Sequence, residues 1–184
     1  MDDGARAVLS VARSVLDDAD VDVVLERVLE SARLLTGAQY AALGVLDESR
    51  VGLARFLTVG IDEAARREIG VLPRGRGVLG VLIAHPVPLR LAEVGSHPRS
   101  YAFPPGHPEM RSFLGVPVLV AGEPYGNLYL TDKQDAAEFT ADDEEAVVLL
   151  AEFAGVAIDR ARRYTGPGRR RVEPRSVRGR STER

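Results

Sequence analysis

Cysteine and tryptophan are absent from this 184-residue chain, and Lys133 is its single lysine. Without cysteine the chain has no disulfide, no thiolate metal site and no cysteine nucleophile, which is in keeping with a reducing compartment. It also lacks an apolar run of the ~18 residues that a membrane span needs. Its first residues, Met1-Asp-Asp-Gly, are acidic where a secretory signal is basic. We therefore expect a cytoplasmic protein that does not enter a membrane.

Charge is distributed unevenly along the chain. The net charge is −3, but residues 165–184 hold seven arginines against two glutamates, so this segment carries +5 and residues 1–164 carry −8. An acidic body disfavours binding to the phosphate backbone of nucleic acids, so nucleic acid is not an expected partner. The Arg-rich segment has almost no apolar residues, which predicts a solvated, disordered tail.

The spacing of apolar residues predicts a definite order of elements. Helices are predicted at 5–17, from the Asp18–Asp20 cluster to Gly37, at 61–69, before Ala84 and at 140–163. Strands are predicted at 40–46, 53–59, 88–91, 113–120 and 125–131, with a long loop at 92–112.

This order predicts an α+β fold with a mainly antiparallel sheet. The N- and C-terminal helices would cover one face, and a ligand pocket would lie at the other face, under the short helices and the long loop. The predicted domains are an N-terminal helix or linker at 1–19, one globular domain at 20–164 and the tail at 165–184.

Two segments carry the side chains best suited to chemistry. The first is Phe103-Pro-Pro-Gly-His107-Pro-Glu-Met110 in the long loop, and the second is Gly126-Asn-Leu-Tyr129-Leu-Thr-Asp-Lys133 in a predicted strand. An imidazole on a proline-stiffened loop can ligate iron, and a phenol on a facing strand can hydrogen-bond whatever the iron holds. These two side chains alone do not define a site, because an inward tyrosine is often a core residue with a satisfied hydroxyl.

Residues 20–164 resemble a GAF domain over nearly their whole length. More narrowly, they resemble the haem-binding first GAF domain of actinobacterial dormancy-sensor histidine kinases of the DevS/DosT type. The segments that carry the resemblance are Tyr40-Ala-Ala-Leu-Gly-Val45, Gly60-Ile-Asp62, Leu72-Pro-Arg-Gly-Arg-Gly-Val-Leu-Gly80, Phe103-Pro104 with His107-Pro-Glu-Met110, Phe113-Leu-Gly-Val-Pro-Val118 and Tyr125-Gly-Asn-Leu-Tyr-Leu-Thr-Asp-Lys133.

The resemblance implies haem b as the cofactor. His107 would be the proximal iron ligand, and Tyr129 would hydrogen-bond bound oxygen on the distal side. The rest of the pocket would be apolar, and Gly44 would leave open space beside the distal strand. The apolar residues expected to line the pocket are Phe56, Leu79, Leu82, Met110 and Leu114.

The function implied by this resemblance is sensing of O₂, NO, CO or the redox state of the iron in signal transduction of the two-component kind. No kinase segment and no catalytic triad are recognised in the sequence, so we expect no enzyme activity. The output would pass through a homodimer formed by the terminal helices, or through a separate histidine kinase or regulator.

Two other functions stay open at this point. One is a cofactor-free GAF dimer that regulates a separate kinase or transcription factor. The other is cyclic-nucleotide binding, because Asp132-Lys133, Phe139 and Asp143-Glu144 resemble a signature of cyclic-nucleotide GAF domains. A structural contact between Lys133 and an acidic residue of the last helix is the reading we favour for that signature. Bilin attachment and sulfoxide reduction, known in other GAF domains, are disfavoured because both need cysteine.

Overall fold

The computed structural model describes residues 20–61, 77–100 and 107–165, together with Ser10. Apart from Ser10 and Ile61, the helices predicted at 5–17 and 61–69 lie outside the described residues, as do residues 166–184 of the predicted tail. The described helices are α1 (Val21–Thr36), α2 (Val78–Ala84) and α3 (Ala141–Thr165), and the described strands are β1 (Ala38–Leu46), β2 (Leu53–Val59), β3 (Leu89–Leu91), β4 (Phe113–Val120) and β5 (Glu123–Lys133).

The five strands form one antiparallel sheet in the order β2-β1-β5-β4-β3. Strand β5 is central and pairs with β1 on one side and β4 on the other. The β4–β5 hairpin turns at Ala121 and Gly122, which both have positive φ, as a two-residue turn of type I′ requires. The predicted α+β fold is therefore confirmed.

Helix α1 begins and ends at the residues that its sequence indicates. The Asp20 carboxylate accepts a hydrogen bond from the Asp22 backbone N–H at 2.8 Å, which satisfies one of the free donors of the first turn. Gly37 ends the helix in the left-handed conformation, with φ 65°. Five apolar residues between these two ends recur at helical spacing and are buried against the sheet and α3: Val24, Leu25, Val28, Leu29 and Ala32.

The larger part of the core lies between the sheet and the two long helices. Helices α1 and α3 pack side by side on this face, and their apolar residues meet Leu43, Leu128 and Leu130 of the central strands. Helix α3 lies very close to the end of β4, because a Cβ placed on Gly155 would stand 1.9 Å from the Leu119 carbonyl oxygen. None of the described helices is both long and apolar enough to cross a bilayer.

A smaller apolar cluster occupies the opposite face of the sheet. It is built from α2, β3, the short turn after β3, the start of β4 and one side chain of β5, and Ala42 of β1 and Phe56 of β2 pack against it. It is separate from the helix-covered core. Its buried members are Val78, Leu82, Val94, Phe113 and Tyr129. The two long helices therefore cover one face of the sheet, and the other face carries this separate apolar cluster.

Candidate functional site

Tyr129 lies at the centre of the smaller cluster. We call the sheet surface formed by this cluster, together with Asn127 and Thr131 of β5, the pocket face. The Tyr129 ring stands between Phe56, at 6.3 Å between ring centroids, and Phe113, at 6.1 Å. The residue is only 3% exposed, and its hydroxyl makes no hydrogen bond of normal geometry to the described residues, although the Asn127 side chain lies close enough to lower the pKa of the phenol. Burial raises the pKa of the Tyr129 phenol, so the hydroxyl keeps its proton at neutral pH and can donate it in a hydrogen bond.

Tyr129 belongs to a row of three polar side chains on the pocket face. Asn127, Tyr129 and Thr131 alternate along β5 with Leu128 and Leu130, which face the helices. All three are buried, and Asn127 Nδ2 and Thr131 Oγ1 also lack a partner among the described residues. A buried polar atom left unpaired costs about 1–3 kcal/mol. Three such atoms in one row therefore mark a surface suited to a polar ligand or to water.

His107 lies half-buried at the start of a described segment that leads into β4. Its Nδ1 is 2.7 Å from the Pro108 carbonyl oxygen. Because a carbonyl oxygen can only accept, Nδ1 carries the hydrogen, and in the neutral ring Nε2 holds the lone pair. Metal-ligating histidines commonly have this second contact, which sets the tautomer and the orientation of the ring.

Met110 connects the His107 segment to the pocket face, because its side chain packs against the cluster that contains Tyr129. The next two residues are anchored to the end of β5. The Arg111 backbone N–H donates to the Asp132 carboxylate at 2.8 Å, and the Lys133 N–H donates to the Ser112 hydroxyl at 3.0 Å. These contacts fix the point at which the segment carrying His107 joins the sheet.

The remaining predicted site residues divide between the two faces. Phe56 and Leu79 pack against the pocket-face cluster, and Leu82 is buried within it. Leu114 does not line this site: it is fully buried in the helix-side core, so the prediction that it faces the pocket is wrong. The reason is the alternation of strand β4, in which Phe113 faces the pocket and Leu114 points the other way.

The prediction of open space beside Gly44 is also wrong. A Cβ on Gly44 would lie 3.5 Å from Tyr129 Cε2, so this glycine does adjoin the tyrosine. It would also lie 2.9 Å from Leu53 Cδ2, which shows that the Leu53 side chain fills the room that Gly44 leaves. At Gly115, too, a side chain fills the space that the glycine leaves, because a Cβ there would stand 2.3 Å from Leu82 Cδ1. Gly115 lets α2 pack directly on β4.

Sequence reasoning missed the site residues Asn127, Thr131, Phe113 and Val94. For Asn127 and Thr131 the signal was present, because each lies two residues from Tyr129 and must share its face in a strand. Val94 carried no such signal, since it lies in a short 3₁₀ turn (Val94–Ser96) inside the predicted loop. Among the described residues there is no group of three or more His, Cys, Asp or Glu side chains arranged to hold a metal ion.

Lys133 has the structural role that we favoured. Its ammonium group donates to the Asp143 carboxylate at 3.0 Å and to the Thr36 carbonyl oxygen at 2.8 Å. It thus ties the end of β5 to the beginning of α3 and the end of α1. The side chains of Lys133 and Asp143 are 15% and 11% exposed, so the pair is largely shielded from solvent.

Comparison with known proteins identifies the family of this chain. A sequence profile for the GAF domain matches residues 18–159. A probable 3′,5′-cyclic phosphodiesterase of Caenorhabditis elegans, pde-5, is 26% identical over 170 residues, and the match covers 85% of this chain and 23% of the phosphodiesterase. The chain therefore spans less than a quarter of that relative's length.

Solved structures share the fold. The GAF domain of a phosphoenolpyruvate-protein phosphotransferase from Coxiella burnetii superposes with a TM-score of 0.74 at 21% identity, covering 88% of this chain and 95% of that chain. A free methionine-R-sulfoxide reductase from Neisseria meningitidis, solved with its substrate, gives a TM-score of 0.71 at 19% identity over 89% of this chain and 95% of that chain. Because the profile covers most of the sequence and the fold agrees with it, the chain belongs to the GAF domain family.

Proposed function

We propose that this GAF domain binds haem b and senses O₂, NO, CO or the oxidation state of the iron, as a regulatory domain without catalytic activity. The observation that carries the proposal is the Tyr129 hydroxyl, a buried polar atom without a described partner, set among apolar side chains. The types of side chain present suit the cofactor, since they offer one imidazole, one protonated phenol and a mainly apolar wall.

His107 would hold the iron through Nε2. The contact between its Nδ1 and the Pro108 carbonyl oxygen supports this role, because it favours the tautomer in which the lone pair is on Nε2. Haem would supply the iron to which a diatomic gas binds or whose oxidation state changes. Met110, three residues further along, brings this segment against the apolar cluster.

Tyr129 would act as a hydrogen-bond donor to the ligand that the cofactor binds. Its raised pKa keeps the hydroxyl protonated, and Phe56 and Phe113 hold the ring on either side. A donor in an apolar surrounding favours a polar diatomic ligand such as O₂ over the less polar CO. Phe113, Leu82 and Val94 would exclude water from the same space.

The signalling role is proposed on the same basis. The domain would act in the cytoplasm as a homodimer, on a separate histidine kinase or other regulator in a two-component pathway. The family relationship supports a sensory function in general, since structural neighbours include a segment of a methyl-accepting chemotaxis protein.

Absorption spectroscopy tests the proposal. We expect protein expressed with haem available to show a Soret band with stoichiometric haem, and His107→Ala to lose or shift that band. His85→Ala is the matched control, because His85 also precedes a proline but is exposed and ends α2. A folded, colourless wild-type protein, or an unchanged spectrum in His107→Ala, would contradict the proposal.

Cyclic-nucleotide binding is the second candidate. The similarity to the phosphodiesterase favours it, as do the polar atoms of Asn127 and Thr131 that have no partner among the residues the structure describes. Isothermal titration with cAMP and cGMP decides the matter, with Asn127→Ala and Thr131→Val as the variants expected to lose binding. If haem and nucleotides both fail to bind, a cofactor-free interaction domain is the remaining candidate.

A further inference from the structure

Asp132 joins the end of β5 to two consecutive residues of the segment that precedes β4. Its carboxylate Oδ1 accepts a hydrogen bond from the Arg111 backbone N–H at 2.8 Å, and its own backbone N–H donates to the Ser112 carbonyl oxygen at 3.0 Å. Its φ is 55°, in the left-handed region that aspartate tolerates because its short polar side chain bonds locally. The hydrogen bond from Arg111 therefore accounts for an aspartate at a position whose backbone would suit glycine.

The Asp132 carboxylate belongs to a group of charges that does not balance. Its Oδ2 is buried and has no hydrogen-bond partner among the described residues. The described charges that act on it are the Glu93 carboxylate and the Arg111 guanidinium, which lie 3.5 Å apart. Two carboxylates thus share one cation, and one negative charge is in excess. Burial is the largest cause that raises the pKa of Asp132, and the Glu93 charge adds to it against the opposing effect of Arg111.

Glu93 connects this group of charges to the pocket face. Its carboxylate caps the 3₁₀ turn Val94–Ser96 by accepting a backbone N–H of that turn at 3.3 Å. Val94 is buried in the apolar cluster of the pocket face, and its backbone N–H donates to the Arg111 carbonyl oxygen at 2.7 Å. A change of charge between Glu93 and Asp132 therefore acts where the turn, the segment before β4 and the end of β5 meet.

We propose that Asp132 and Glu93 share a proton and so form a pH-sensitive latch, which holds the Val94 turn and the segment before β4 against the end of β5. With the proton bound, repulsion between two carboxylates is replaced by a hydrogen bond between a carboxyl and a carboxylate. Without it, two negative charges act on each other across the joint. The latch is independent of haem or nucleotide binding, although it borders the face on which either would bind.

The direction of the pH dependence follows from the raised pKa of Asp132. The folded state binds the proton more tightly than the unfolded chain does. The stability that the proton contributes is complete below the pKa of an unfolded aspartate, about 4, and is lost as pH rises through the higher pKa of the folded state. The latch should therefore be closed in mildly acidic solution and weakened at higher pH.

Urea denaturation between about pH 4 and pH 8 tests the linkage with Asp132→Asn, which keeps the acceptor for the Arg111 N–H but cannot ionise. The unfolding equilibrium constant of wild type, divided by that of the variant, should rise about threefold over this range, the size expected for partly exposed charges. Glu109→Gln is the matched control, because it removes an exposed carboxylate of the same segment outside the group of charges. A ratio for Asp132→Asn that is constant, or that falls as pH rises, overturns the proposal.

Glu93→Gln tests whether the proton is shared. The same ratio, measured between Glu93→Gln and the double variant E93Q/D132N, should rise less than it does between wild type and Asp132→Asn. The reason is that the second carboxylate, which repels the ionised Asp132 and accepts its proton, is gone. An equal rise in both backgrounds would show that Asp132 titrates without Glu93, and a shared proton would then be wrong.

Amide hydrogen exchange reports the closing of the latch locally. Corrected for the intrinsic rate, the Val94 N–H should be about threefold better protected near pH 5 than near pH 8 in wild type, and equally protected at both in Asp132→Asn, with the Leu128 N–H of the central strand as reference. His97, directly after the turn, belongs to a residue type that titrates near neutral pH, so the pH dependence should persist in His97→Gln. Its loss in that variant, or its persistence in Asp132→Asn, would assign the effect to another group and overturn the proposal.

Discussion

Replacing Tyr129 by phenylalanine removes a single oxygen atom, and the structure determines the sign of the effect. The ring would keep its place between Phe56 and Phe113. The hydroxyl lost is buried and makes no hydrogen bond of normal geometry to the described residues, and the nearby Asn127 side chain only partly offsets the effect of burial on its pKa. Because an unpaired buried polar group costs about 1–3 kcal/mol, we expect Tyr129→Phe to raise the free energy of unfolding of cofactor-free protein by about 1 kcal/mol.

The effect should reverse when the proposed ligand is bound. A hydrogen bond to a polar ligand contributes on the order of 1.5 kcal/mol, so O₂ should dissociate about tenfold faster from haem-loaded Tyr129→Phe than from wild type. If the hydroxyl binds the ligand, the variant should be more stable than wild type without cofactor and should bind O₂ less tightly than wild type with it. Stopped-flow kinetics measure the rate of O₂ dissociation.

Urea denaturation of the cofactor-free protein measures the change in the free energy of unfolding. The expected gain corresponds to a rise in Tm of about 2–4 °C for a domain of this size. Tyr40→Phe is the matched control, because the half-buried Tyr40 hydroxyl accepts a hydrogen bond from Gln39 Nε2 at 2.7 Å and its loss should bring no gain. A loss of 1 kcal/mol or more in Tyr129→Phe would refute the reasoning, since it would mean that the hydroxyl has a stabilising partner.

The same substitution changes the dependence of stability on pH. Burial raises the pKa of Tyr129 above its ordinary value near 10. The folded state therefore holds its phenol proton at a pH where the unfolded chain has released it. Stability is complete below pH 10 and falls as pH rises above it, so wild type should lose stability more steeply there than Tyr129→Phe. Tyr125, whose pKa burial also raises, contributes equally to both proteins.

Two further substitutions test the packing that positions the site. Gly155→Ala should destabilise the protein by more than about 2 kcal/mol, because its Cβ would meet the Leu119 carbonyl oxygen at 1.9 Å. Gly95→Ala is the control: the nearest atom to its Cβ would be 3.4 Å away, so stability should change little in the same urea titration. Lys133→Met should cost about 3 kcal/mol by leaving the shielded Asp143 carboxylate without its cation, and an unchanged midpoint would show that the contact is not stabilising.

Much of the fold could be predicted from local sequence signals. Asp20 and Gly37 mark the two ends of α1 because a capping carboxylate and a left-handed glycine act within a few residues of the chain. Strands β2 and β4 have the predicted bounds, since alternation and turn residues are also local. The pairing of a loop histidine with a strand tyrosine came from resemblance to a family, and haem binding stays a prediction.

The details of the site depended on contacts between distant parts of the chain. Leu114 looked like a pocket residue because it is apolar and lies near the site, but register in the sheet turns it towards the helices. Gly44 adjoins Tyr129, yet Leu53 from the neighbouring strand takes its space. Neither fact can be read from one segment alone.

The sequence by itself determined the order of most elements, the apolar faces of the long helices and the location of Tyr129 in a buried strand, because these follow from periodicities of two and 3.6 residues. Only the tertiary structure decided which polar atoms lack partners. Whether Asn127, Tyr129 and Thr131 are satisfied depends on side chains brought to them from other strands and helices. Within the described part of the chain, that assembly leaves three polar atoms without a hydrogen bond on one face of the sheet, and this is the physical basis for the proposed site.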